Sequence, residues 1–209
     1  MASKRDFLNL TDLTLAAFGT IALTIFIAEL TDKDAFLLIT LATKVRARMV
    51  FLAGAVAFVF TTTVIIAVGS ALIVVVPVYW VRLVGGGVMV AYGAWEARGL
   101  IGTGAMAEEE SRIEKAESAW RTFAAMVAGL ALLDLAGDAT EVLTIVFVAR
   151  FPSPAFVFSG ACLGLLSATA VETTLGSRLR RLVTPVRMRA VSAAVFLILG
   201  VSIIVLNSG

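Results

Sequence analysis

Seven carboxylates lie within or beside long apolar stretches of this chain: Glu29, Asp32, Asp34, Asp134, Asp138, Glu141 and Glu172. Each would cost roughly 2.5–3.5 kcal/mol at the centre of a bilayer on insertion scales. Four of them facing lipid would cost on the order of 10 kcal/mol, comparable to the stability of a whole domain. They must therefore face one another, a cation or water. Only Lys33 lies within these acidic segments to neutralise them, so an empty site would repel itself. It can be relieved by a divalent cation or by protons. A site that alternates between the two is a cation/proton exchanger.

Spacing supports convergence. Glu29 and Asp32 are three residues apart and share a helix face; Asp134, Asp138 and Glu141, spaced four and three, stack likewise. Glu172 lies deep in a later apolar run beside Thr169 and Thr173, and reads either as a proton carrier or as a lone acid in a wet cavity. Thr31, Thr63, Thr140 and Thr169 can add neutral oxygens, or can bond back to their own helices. An all-oxygen set suits calcium, manganese or magnesium. The chain has no histidine, and Cys162 is its one cysteine. That argues against zinc and copper, and excludes disulfide scaffolds and histidine-based nucleophilic catalysis. No prosthetic group is expected. The net charge of +2 comes without a basic-aromatic surface, so nucleic acid is not an expected partner.

The elements that must hold these acids are membrane helices. The chain is 60% hydrophobic and only 15% charged, with a mean hydropathy of +1.00; a soluble domain is about 25% charged. Three spans are expected in each half: 13–34 running on through 35–46, then 49–76 and 78–100; and 120–140 running on through 141–151, then 155–177 and 187–206. Residues 1–100 thus form one repeat, 101–119 an acidic linker and 120–209 a second repeat. A straight helix over Leu13–Val45 would be about 50 Å long, against a hydrocarbon core of about 30 Å. Breaks at Leu30-Thr31-Asp32-Lys33-Asp34 and at Asp134-Leu135-Ala136-Gly137-Asp138 resolve the excess.

The halves align with each other. A shift of 106 lays Asp32 on Asp138, Lys44 on Arg150, Gly54-Ala55 on Gly160-Ala161 and Thr63 on Thr169. After one inserted residue, Arg82 meets Arg189 and Gly93 meets Gly200. Together the matches indicate a duplication. An odd number of spans per copy makes the two copies inverted, as in many secondary transporters. The loops after spans one, three and five carry twelve Lys and Arg, and the other side four (Lys4, Arg5, Arg82 and Arg150). The positive-inside rule then puts the linker in the cytoplasm and both termini outside. No leader-like segment precedes the first span, which favours a prokaryotic plasma membrane. The fold expected is an all-α, polytopic membrane protein of six spans, in two inverted three-helix repeats broken at the acidic motifs.

The motifs resemble those of the Gdt-type calcium/manganese–proton exchangers. That family carries two copies of Glu-x-Gly-Asp-(Lys/Arg)-(Thr/Ser). Glu29-Leu30-Thr31-Asp32-Lys33-Asp34 is similar to the first at Glu, Asp and Lys. Gly137-Asp138-Ala139-Thr140-Glu141 and the run to Arg150 resemble the second. Thr31 replaces a glycine, Asp34 a hydroxyl residue and Ala139 the basic residue; Leu135 holds the second glutamate position, with Asp134 one residue early. The resemblance implies export of calcium or manganese against protons, with Glu29, Asp32, Asp134 and Asp138 as ligands. Asp34, Thr140, Glu141, Glu172 and Lys33 would be secondary contributors. Two other readings compete: an exporter of another small solute such as an amino acid, and an intramembrane aspartyl protease built on Asp32 and Asp138.

Overall fold

The computed structural model describes residues 4–98, 118–135, 139–151, 153–182 and 185–207, all of them helices or short joints between helices. Eight helices follow in order: α1 (Lys4–Thr31), α2 (Lys33–Lys44), α3 (Ala47–Val75), α4 (Val78–Ala97), α5 (Ala119–Leu135), α6 (Ala139–Arg150), α7 (Pro154–Leu182) and α8 (Pro185–Asn207). Each half reads as a long helix running into a twelve-residue one, followed by two more helices. The expected helical runs correspond to these helices, except that α1 begins nine residues before position 13 and α7 runs on to Leu182. Most of the linker, and Asp138 with it, lies outside the described residues.

Local chemistry explains the joints. Asp32 leaves helical geometry at φ −84°, ψ 170°, and its N–H still reaches the Glu29 carbonyl at 3.0 Å. α2 ends where Val45 turns extended at φ −121°, ψ 165°, with Lys44 in the last turn, where the helix dipole favours a cation. Pro77 precedes α4, and proline opens α7 and α8, where the first turn has no use for an N–H. Serine caps two starts: Ser118 Oγ accepts from the Arg121 N–H and Ser153 Oγ from the Phe156 N–H, both at 3.3 Å.

Three helical segments, Thr14–Thr31, Ala47–Val75 and Pro154–Gly176, are long and apolar enough to cross a membrane. Ala35–Lys44 and Ala190–Val205 are shorter apolar stretches. The outer faces carry large apolar side chains such as Leu23, Phe60, Val74 and Ile198, which only lipid would tolerate in such number. Exposed Trp80 and Trp95 stand about 22 Å apart along α4, at the spacing of two interfacial aromatic girdles. The chain is an integral membrane protein.

α3 and α7 form the centre. α7 packs along α1 and α2, and α3 along α5 and α6, while α3 and α7 also touch each other. α7 runs parallel to α1–α2. A Cβ on Gly160 would meet Ile21, one on Gly164 the Ala22 carbonyl at 2.6 Å, and one on Gly176 the Ile39 carbonyl at 3.2 Å. Only glycine at position 164 allows that approach. The most extensive contact joins α4 and α8. They cross antiparallel through small residues: Gly86 lies on the Gly200 carbonyl and Gly93 on the Ala193 carbonyl. Between these layers the core holds Ile25, Leu38, Phe58, Met89, Met126, Leu130 and Phe196.

Candidate cation site

Glu29 and Asp32 sit at the α1–α2 break, and Asp134 one residue before the end of α5. All three are buried: Glu29 is 0% exposed, Asp32 1% and Asp134 4%. Glu172, on α7 between Thr169 and Thr173, is also 0% exposed. Among the described residues no lysine or arginine is buried with them. Four buried acids without a buried base is a charge arrangement that apolar packing alone would not produce.

The break gives Asp32 its reach. An aspartate in the capping position normally accepts from the first turn of its own helix. Here the carboxylate makes no such bond, and Asp32 Oδ1 instead accepts from the Tyr92 hydroxyl of α4 at 3.3 Å. Asp32 stands at the N-terminus of α2, the positive end of that helix's dipole, a position that steadies negative charge. In the second half, Asp134 Oδ2 accepts from the Thr61 hydroxyl of α3. Each aspartate is thus tied to a neighbouring helix by a neutral hydroxyl, which supports the charged form without cancelling it.

Other sites from the sequence divide clearly. Thr140 is buried on α6 and Glu141 is half-buried in that helix's first turn. Lys33 and Asp34 open α2, but their side chains lie outside the described residues, as does the whole of Asp138. Thr63, expected to offer an oxygen, faces outward and donates to the Val59 carbonyl at 2.7 Å. Thr31 and Thr169 likewise donate to carbonyls of their own helices. Among the described residues, no group of three acids comes close enough together to hold a metal ion. Cys162 is half-buried on α7, in keeping with a packing role.

Sequence reasoning missed Thr61 and Tyr92. Thr61 belongs to the run Thr61-Thr62-Thr63, where helical phase decides which hydroxyl points inward: Thr61 and Thr62 are buried and Thr63 is not. The signal available was the phase of buried Phe58, three residues earlier. Tyr92 is half-buried inside an apolar helix, where a phenol hydroxyl seeks a partner, but its sequence does not name that partner.

The family model for the divalent cation/proton antiporter GDT1 matches residues 17–102 and 118–208. The chain belongs to that family. Neither curated proteins nor solved structures give a match. As a GDT1-family protein the chain is a divalent cation/proton antiporter, a transporter and not an enzyme. The protease and amino-acid-exporter readings gain no support from the match. The matched segments stop and restart on either side of the acidic linker, and each contains one of the broken helices.

Proposed function

We propose that the protein exports calcium or manganese from the cytoplasm in exchange for incoming protons, with magnesium a weaker substrate. Glu29, Asp32, Asp134 and Asp138 are its cation ligands, and protons compete for the same carboxylates. The observation that carries this reading is the set of buried acids with no buried base among the described residues. A cation and protons are alternative answers to one electrostatic problem, so competition for the same carboxylates couples the two. Thr140 and Glu141 lie on the first turn of α6, near enough in sequence to complete the coordination; Lys33 and Asp34 flank the opposite break.

The architecture that fits is six spans in two inverted repeats, residues 1–100 and 120–209, around a cytoplasmic linker, with both termini outside. In support, each half has the same succession of helices, and α4 and α8, which correspond, run antiparallel. A prokaryotic plasma membrane is the host this reading implies. Glu172 has Ile66 at its counterpart position, so its role is asymmetric; we assign it to proton carriage.

The test is uptake into proteoliposomes under an imposed pH gradient, with calcium, manganese, magnesium and zinc offered in turn. Calcium or manganese should move only when protons move the other way. Asp32→Asn and Asp138→Asn should each abolish the exchange. Full activity in both variants would remove the site assignment.

A further inference from the structure

The α4–α8 pair does not sit evenly on the rest of the molecule. α4 packs against α6 and α8 against α1, yet among the described residues α8 makes no comparable contact with α2, nor α4 with α5. Under the correspondence of halves, α4–α6 maps to α8–α2 and α8–α1 maps to α4–α5. The pair has therefore been taken up by one member of each corresponding set. Its own crossing is indifferent to the choice: Gly86 on Gly200 maps onto Ala193 on Gly93, and both contacts are present.

One polar contact accompanies the chosen side. The Arg82 guanidinium of α4 donates to the Ala149 carbonyl at 3.4 Å. Ala149 is the penultimate residue of α6, where a helix leaves carbonyls without intrahelical partners and presents the negative end of its dipole. Close by, a Cβ on Gly85 would come within 2.8 Å of Val146, so α4 and α6 touch nearly backbone to side chain. Arg82 and Arg150 also line a cavity of about 230 Å³ with Thr20, Thr24 and Ser202, between α1, α4, α6 and α8. Among the described residues no carboxylate pairs with Arg82, and its Nε is buried without a hydrogen-bond partner. The tie is one long bond, strong enough to bias an equilibrium and weak enough to release.

The corresponding positions carry the same elements. Arg189 matches Arg82, and Thr43 matches Ala149 as the penultimate residue of α2, another twelve-residue helix. Ala149 is buried under the contact, whereas Thr43 is exposed.

We infer that Arg82 is a latch that holds the α4–α8 pair against α1 and α6 in one state of the transport cycle. In the opposite state Arg189 performs the same service on the Thr43 carbonyl, and the pair rests against α2 and α5. This rests on the inverted-repeat reading above. Both arginines are positioning residues: they select which end of the molecule is closed and touch no transported ion.

The test uses detergent-solubilised full-length protein with Cys162→Ala and one reporter cysteine, Thr24→Cys beside the Arg82 cavity or Val127→Cys on α5. Labelling by a water-soluble maleimide is timed. Arg82→Gln should raise the Thr24→Cys rate roughly tenfold and lower the Val127→Cys rate, as expected for losing a charged donor's bond. Arg189→Gln should move both rates the opposite way, and Arg82→Lys should fall between Arg82→Gln and the parent. Rates that rise together, as they would on unfolding, or that stay put, overturn the latch. Exchange by the parent in proteoliposomes is measured alongside. If exchange is absent while the labels move oppositely, the cation/proton reading fails and the latch stands; if exchange is present and the labels do not diverge, only the latch fails.

Discussion

The two broken helices share a scaffold but not a chemistry. At the first break Asp32 receives a hydroxyl from Tyr92, which belongs to the same half of the chain. Near the second, Asp134 receives one from Thr61, which belongs to the other half. The corresponding positions show why the pairs are not copies. Tyr92 corresponds to Leu199, which has no hydroxyl, and Asp134 to Ala28, which has no acid. On the proposed duplication the acids themselves are not conserved in place: buried Glu29 corresponds to Leu135, which is 39% exposed. Asp134 is therefore held by the opposite half, and Asp32 by the α4–α8 layer, the layer that moves under the latch proposal. The difference suggests a division of labour: one carboxylate reports the position of the fixed core, the other that of the moving pair.

That comparison can be broken most decisively at the acids. Asp32→Asn and Asp134→Asn should each reduce proton-driven divalent uptake at least about 100-fold, since removing a group buried with an ionic partner typically costs 3–5 kcal/mol. Equal, modest losses from both would mean that neither aspartate is a ligand. The hydroxyl partners come next. A hydrogen bond to a charged group contributes about 1.5–3 kcal/mol, so Thr61→Val should weaken cation affinity by roughly tenfold or more. Tyr92→Phe, whose bond to Asp32 is longer, should cost only a few-fold. The reverse order would sink the proposed division between core and moving layer. Glu172→Gln should leave divalent-ion binding within about threefold of the parent, a shift below 1 kcal/mol, while flattening the dependence of uptake on the pH gradient. A loss of binding instead would make Glu172 a ligand. The smallest effect belongs to Thr63→Val, which should leave uptake and thermal stability unchanged, because its hydroxyl only bonds back to its own helix.

Much of this was legible in the chain. Helix order and most helix ends followed from apolar run length, because a bilayer imposes a length that water does not; α1 and α7 overrun the expected bounds by nine and five residues, since helix can continue beyond the apolar run. The break at Asp32 followed from the excess of helix over membrane thickness, and its burial from the cost of charge in lipid. Orientation of hydroxyls was not legible in the same way. Thr61 and Thr63 have identical chemistry, and only the packing of α3 against α5 decides that the first meets an aspartate and the second meets lipid. The Tyr92 contact was hidden for a different reason: it spans sixty positions in sequence, between helices that do not pack closely, and only the long phenol bridges them. Arg82 looked like one of four charges on the sparsely charged side; its partner is a helix-end carbonyl, which no residue type announces.

The crossing of α4 and α8 has a consequence for how this molecule tolerates change. Its two contact points exchange with each other when the halves are swapped, so under the proposed inverted repeat every substitution there acts on both conformations at once. Filling Gly93 or Gly200 with a larger side chain would not tilt the balance between them; it would raise the energy of each, and the injury would be read in yield and melting temperature, with no preference for either face of the membrane.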